Sequence, residues 1–272
     1  DQFYLNFIKR AFLEIKGNSD SLYNIKFIDK KTNQLIYENK IPINHWVAAS
    51  REWFTDWSII VESNSEVVFK HDFNCTGKNV YIHLDSKALG DTIAWFPYVE
   101  EFRKKHNCNL ICSTFWNSLF EKEYKNIKFV NPGSIVDDLY TMYEIGIFID
   151  GNKNPNPTYQ NLKLQQIATD ILGLEYKEIS PIINVSNKEK VIEEKYVCIS
   201  TESTAKSKLW NNDNGWQETI DYLVSKGFKV LHLGKEKTNF TNVTNIINQP
   251  IEDIINYVNN CEFFIGLSSG LS

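Results

Sequence analysis

In the stretch HLDSKALGDTIAWFPYVEEF, residues 83 to 102, the carboxylates Asp85 and Asp91 stand six residues apart around Ser86, Lys87 and Gly90. A strand-like apolar run precedes them and a helix-like one follows. If VYIHLD is the strand, Asp85 lies at its carboxyl end and Asp91 where the helix begins, as an N-cap accepting from the first free amides. A carboxylate so placed can also take a proton from an incoming hydroxyl, which is general-base chemistry. Cap and base are compatible roles. Pro97 removes one backbone donor and predicts a kink or a late helix start.

Two further loops suit an anionic ligand. Residues 201–214, TESTAKSKLWNNDN, hold Lys206 and Lys208 among hydroxyl side chains and the Trp210 indole. A lysine there offsets charge growing on a departing diphosphate; a solvated surface lysine is the alternative. Residues 266–272, GLSSGLS, let the backbone approach a phosphate closely and offer N–H and hydroxyl donors. They lack the Gly-Lys-Ser/Thr ending of a Walker loop, and an ordinary strand-to-helix turn has the same composition.

Loops of this kind need a sheet to carry them. From residue 79 the pattern runs strand, loop, helix: NVYIHLD and a helix through about His106, NLICST into a helical FWNSLFEKE, IKFV, YEIGIFID, then the helix YQNLKLQQIATDILGL, which Gly173 interrupts. After Pro181 the charged SNKEKVIEEK leads to a second series: strand YVCIS, helix GWQETIDYLVSKG, strand FKVLHLG, helix PIEDIINYVNN and strand CEFFIGL. Such alternation implies βαβ units on parallel sheets, and the chain is expected to be α/β with two facing Rossmann-like halves. Ligands of doubly wound sheets bind outside the carboxyl ends of the strands, where all three loops fall. Because the chain stops after a strand and small-residue loop, the second half is expected to be incomplete.

Residues 11–72 differ. FLEIKG, YNIKFID, QLIYEN, HWVAAS, WSIIVES and EVVFKHD are short β-type runs between turn-rich stretches, which predicts a small antiparallel sandwich or barrel. Trp46, Trp53, Phe54 and Trp57 form either its core or an aromatic groove for a polypeptide or sugar. The expected organisation is a β-rich domain over 1–78, one Rossmann-like domain over 79–185 and a second over 186–272.

A formal net charge of -5 argues against a nucleic-acid or anionic-membrane surface. No apolar run of about 18 residues appears, and residues 1–16 lack the pattern of a secretory signal, so a cytoplasmic protein without membrane insertion is expected. The five cysteines are scattered. Cys108 and Cys112 on one strand would lie about 13 Å apart at ~3.3 Å per residue, too far for a disulfide; buried free thiols are expected. The glycosylation-type tripeptides at Asn74, Asn184, Asn239 and Asn242 carry no weight in a cytoplasmic, Asn-rich chain.

YIHLDSKALGDTIAWFPYVEEFRKKHNCNLICSTFWNSLF, KLWNNDNGWQETIDYL and FFIGLSSGLS, in that order, resemble the bacterial autotransporter heptosyltransferases, relatives of the lipopolysaccharide heptosyltransferases. The resemblance implies a GT-B fold, an ADP-heptose donor and transfer to Ser or Thr hydroxyls of an adhesin. It selects Asp91, beside Gly90, as base, leaving Asp85 and Lys87 to shape the loop. It favours Lys208 over Lys206 at the donor phosphates and implies a phosphate loop over Gly266, Ser268, Ser269 and Gly270. Thr92 and Ser203 are expected to help position phosphates. The β-rich start, with Trp46, Trp53 and Trp57, resembles the segment that engages the acceptor. The family's metal finger and ring-like assembly have no counterpart motif in this chain, so no cofactor is expected within it, and a homo-oligomer is compatible with the resemblance. Rival readings are transfer to a saccharide or lipid, and a non-catalytic module that binds nucleotide sugars or adhesin.

Overall fold

Strands with one buried face alternate apolar and polar residues, and the β-rich start does so. The computed structural model describes residues 1–183, 190–203 and 205–271. Seven strands come first: β1 (Gln2–Asn6), β2 (Phe12–Lys16), β3 (Leu22–Asp29), β4 (Gln34–Pro42), β5 (His45–Ala48), β6 (Trp57–Ser63) and β7 (Glu66–Asp72). They make two antiparallel sheets, ordered β1-β2-β5 and β4-β3-β6-β7. Leu13, Ile15, Ile25, Phe27, Ile59 and Val61 alternate inward and are fully buried. Asn64 and Ser65, both at positive φ, close the β6–β7 hairpin between the paired Ser63 and Glu66, a turn whose hand follows the strand twist. β1 lies ahead of the runs expected from the sequence. Its QFYLN has no fully buried face, so alternation does not mark it.

The first parallel sheet has the order β10-β9-β8-β11, built from β8 (Asn79–Leu84), β9 (Asn109–Ser113), β10 (Ile127–Phe129) and β11 (Thr141–Ile145). Between β8 and β9 runs α1 (Leu89–His106), which buries Trp95, Phe96, Tyr98, Val99 and Phe102. Pro97 neither delays nor ends it, because the helix begins eight residues earlier. Asp91 therefore lies inside the first turn of α1 and is not its N-cap. FWNSLFEKE is not a helix but a single 3-10 turn, Asn117–Leu119, followed by turns. The strand expected over YEIGIFID ends at Ile145. α2 (Leu164–Leu172) ends at Gly173, whose φ of 62° and N–H bonds to the last carbonyls make it a left-handed cap.

β12 (Tyr196–Ser200), α3 (Gly215–Ser225), β13 (Lys229–Gly234), β14 (Thr244–Ile247), α4 (Ile251–Asn260) and β15 (Phe264–Gly266) follow, with a parallel sheet ordered β14-β13-β12-β15. β14 has no counterpart in the sequence expectation. One face of this sheet packs Val197, Ile199 and Val230 with Trp216, Ile220 and Leu223 of α3. The other packs Tyr196, Cys198, Leu231 and Leu233 with Ile254 of α4. Burial on both faces explains why β12 reads as an unbroken apolar run.

The described residues divide into two compact units, residues 1–87, 91–117 and 124–182 in one, and 88–90, 118–123 and 183–272 in the other. The β-rich sheets and the first parallel sheet share a unit. Phe54 joins them, with ring centres 5.7 Å from Phe73, 5.8 Å from Phe102, 5.0 Å from His106 and 6.1 Å from Tyr143. The boundary expected at 185 and the charged residues 186–189 lie outside the described residues, as do Asn184, Thr204 and Ser272. Among the described residues, no helix is long and apolar enough to cross a membrane. The cysteines are free. Cys108 precedes β9, and its thiol hydrogen-bonds Cys75, an interaction that with burial pushes the Cys75 thiol up.

His106 sits against Phe54 and Phe102 with its buried Nε2 unpartnered among the described residues. Burial, assisted by neighbouring Lys105, lowers its pKa from 6.5 to about 4. The unfolded chain then binds the proton more readily, so this contribution to stability is complete above pH 6.5 and is lost as pH falls toward 4. His106→Phe should reduce the stability difference between pH 7.5 and pH 5.0 by about 2 kcal/mol. Urea unfolding of both proteins at the two pH values checks this.

Candidate functional site

In the first unit Asp85, Ser86, Lys87 and Asp91 follow the carboxyl end of β8; in the second, Lys208 follows β12 and the Gly/Ser-rich loop follows β15. Asp85 follows β8 directly, and its N–H donates to the Ile145 carbonyl at 2.8 Å. Ser86 Oγ donates to Asp91 Oδ2 at 2.6 Å. Lys87 is exposed, its ammonium 5.4 Å from the Phe115 ring centre, and its carbonyl accepts from Trp116 Nε1 at 3.0 Å. Asp91 is thus half-buried and held by a hydroxyl, and the 85–87 loop that supplies that hydroxyl is tied at both ends. Within β8, burial lowers the His83 pKa, while Glu144 and Asp85 oppose that shift. Thr92 is 0% exposed.

In the second unit, Lys208 ends a 3-10 turn, Lys206–Lys208, and its Nζ donates to the Ser268 carbonyl at 3.3 Å. The favoured lysine and the Gly/Ser-rich loop therefore meet. Gly266 closes β15 as its last residue, so the loop proper begins one residue later. Ser269 Oγ accepts from Leu271 N–H at 3.2 Å, a local turn. Ala88–Gly90 belong to this unit, where a Cβ on Gly270 would stand 2.7 Å from Gly90 N and 2.8 Å from Leu89 Cβ. Glycine permits that approach. Ser203 is half-buried in the 201–214 loop.

The three tryptophans separate. Trp57 is 3% exposed and belongs to the core, so it offers no surface to an acceptor. Trp53 is half-buried, donating from Nε1 to the Gly151 carbonyl at 3.1 Å beneath the Arg51 guanidinium. Trp46 is 61% exposed and stacks on Phe12 at 5.6 Å. It borders a groove of about 450 Å³ together with Asn6, Ile8, Lys9 and Arg10.

No family model matches the chain. The autotransporter heptosyltransferase Aah of Escherichia coli is 30% identical, over 92% of this chain and 68% of its own length. The chain belongs to the autotransporter heptosyltransferase family. The heptosyltransferase BAHTCr of Citrobacter rodentium is 29% identical, over 92% of this chain and 64% of its own length. The solved dodecameric iron-containing heptosyltransferase TibC in complex with ADP-D-beta-D-heptose superimposes with a TM-score of 0.90 at 26% identity, covering all of this chain and 74% of that one. The fold is therefore that of this family, mixed α/β with parallel sheets. The chain spans between 64% and 68% of the length of these two curated relatives. Among the described residues no group of three or more His, Cys, Asp or Glu side chains that could hold a metal ion is present.

Sequence reasoning missed Phe115 and Trp116, having assigned them to a helix. Their position just beyond a strand's carboxyl end was the available signal. It also missed a network in the second unit. Glu202 Oε2 and Oε1 accept from the N–H groups of Lys235 and Glu236 at 3.0 and 3.1 Å. Fully buried His232 lies 3.1 Å from Thr201 Oγ1 and 3.2 Å from Asn245 Oδ1, which also accepts from Thr238 N–H at 3.0 Å. Burial lowers the His232 pKa, and the neutral ring donates from Nδ1 and accepts at Nε2. These bonds fasten the loops after β12 and β13 to strands β13 and β14 and to one another. Asn245→Ala should lower stability by about 2 kcal/mol by orphaning the Thr238 amide and His232 Nδ1. A urea midpoint that falls at constant slope is the expected result.

Proposed function

We propose that the full-length protein transfers heptose from ADP-heptose to Ser or Thr hydroxyls of an autotransporter adhesin. In this reading Asp91 takes the proton of the acceptor hydroxyl as its oxygen bonds to the anomeric carbon. The bond from that carbon to the diphosphate breaks on the opposite side, and ADP departs. Lys208, with the N–H and hydroxyl donors of the 266–270 loop, stabilises the charge growing on ADP. Ser203 helps to position the phosphates in the proposal, while Gly270 allows its backbone a close approach to Gly90. No step is assigned to a metal. The two parallel sheets act as the two Rossmann-like halves of a GT-B enzyme, and the β-rich start engages the polypeptide, with the Trp46 groove as contact surface. Self-association is proposed on the likeness to dodecameric TibC.

The observation that carries this reading is the Lys208 ammonium meeting the Ser268 carbonyl, in a chain belonging to a family of heptosyltransferases. A lysine and a Gly/Ser-rich turn, 60 residues apart in sequence, converge at the carboxyl edge where parallel sheets bind ligands.

Asp91→Asn in the full-length protein should lower kcat by about 10² to 10⁴-fold, the range of general-base contributions, with ADP binding retained. Lys208→Ala should lower kcat by about 10 to 100-fold. Mass spectrometry of adhesin peptides and glycan acceptors after incubation with ADP-heptose, ADP-glucose and UDP-sugars reads both donor and acceptor. Parent-level transfer by Asp91→Asn removes the base assignment, and label on glycans alone removes the protein acceptor.

A further inference from the structure

We infer that Ser86 and Trp116 are positioning residues for Asp91, setting which of its carboxylate oxygens meets the acceptor. The inference rests on the assignment of Asp91 as base. Ser86 Oγ donates to Asp91 Oδ2 at 2.6 Å, a short charge-assisted bond that leaves Oδ1, among the described residues, for the acceptor proton. A carboxylate free to rotate about its terminal bond has no preferred oxygen. The hydroxyl supplies that preference.

The hydroxyl is itself located by a chain of contacts. The loop carrying Ser86 is tied at its start by Asp85 N–H to the Ile145 carbonyl at 2.8 Å and at Lys87 by Trp116 Nε1 to the carbonyl at 3.0 Å. Trp116 is fixed in turn: its N–H donates to Thr114 Oγ1 at 2.8 Å, Thr114 N–H and Oγ1 reach Asn117 Oδ1 at 2.9 and 3.1 Å, and Asn117 Nδ2 donates to the Val130 carbonyl at 2.8 Å. Phe115 supports the Lys87 ammonium at 5.4 Å. The strap runs from Val130, just after β10, through residues 114–117 after β9 to Lys87, and these residues share one compact unit with Ser86 and Asp91. Its rigidity is what a base needs, since sub-ångström misplacement of a reacting group is costly in rate.

The experiment compares the full-length parent with Asp91→Asn, Ser86→Ala, Ser86→Thr and Trp116→Phe, measuring kcat, KM for donor and acceptor, and thermal midpoint. Expected are a kcat about 10-fold lower for Ser86→Ala, both KM values within about twofold, an unchanged midpoint, and recovery of most of the rate in Ser86→Thr. Trp116→Phe keeps the ring but not the N–H, and should lower kcat in the same direction. An active parent and inactive Asp91→Asn beside a Ser86→Ala of parental kcat overturns the positioning role alone. A parent without transfer activity, or an active Asp91→Asn, overturns the base assignment and the positioning role with it. If Ser86→Ala loses rate only as its thermal midpoint drops and Ser86→Thr restores neither, the residue is structural and the inference fails.

Discussion

Parallel pairing is the constraint on which the rest depends. Two parallel strands cannot be joined by a tight turn, so the chain leaves each strand at its carboxyl end and returns across a face of the sheet. In the first unit this puts the loops after β8 and β9 on one edge of their sheet, and in the second the loops after β12, β13, β14 and β15. Every polar residue considered for chemistry sits on those edges because the strand interiors have no room for it. Val80, Ile82 and Leu84 of β8 and the whole of β12 are buried.

Polar groups on these edges are held by short networks, not by the helices that follow. Asp91 takes a serine hydroxyl, Glu202 takes two backbone amides, and Asn245 gathers an imidazole, an amide and a hydroxyl on one oxygen. Each arrangement fixes the course of a loop by hydrogen bonds. Buried hydrogen bonds are worth about 1 kcal/mol net but cost more when broken. They therefore specify geometry more than they add stability.

Aromatic burial does the complementary work. In the first unit Phe54 stands among Phe73, Phe102, His106 and Tyr143 and connects the antiparallel sheets to the parallel one. Its backbone N–H also reaches the Ile171 carbonyl at 2.8 Å, at the end of α2. The same cluster encloses an imidazole that cannot charge cheaply, which couples this junction to pH. Trp57, near Phe27 at 6.2 Å, completes the core of the β4-β3-β6-β7 sheet, while Trp46 stays on the surface.

The sequence by itself determined the strand and helix alternation after residue 79, the antiparallel start, the strand-to-helix junction that carries Asp91, and the loops of Lys208 and the Gly/Ser-rich turn. Local periodicity and turn chemistry encode those features within a few residues. Short segments without a fully buried face were illegible: QFYLN became a strand by pairing with β2, and TNII by pairing with β13. FWNSLFEKE, helical in pattern, was claimed by side-chain bonds from Asn117 and Trp116 to distant carbonyls. Only tertiary structure decided that Thr92 turns inward, that Trp57 is core while Trp46 is surface, and that Lys208 reaches Ser268. Each of those outcomes depends on which residue, far away in the chain, occupies the adjoining space, and one sequence carries no local signal for that.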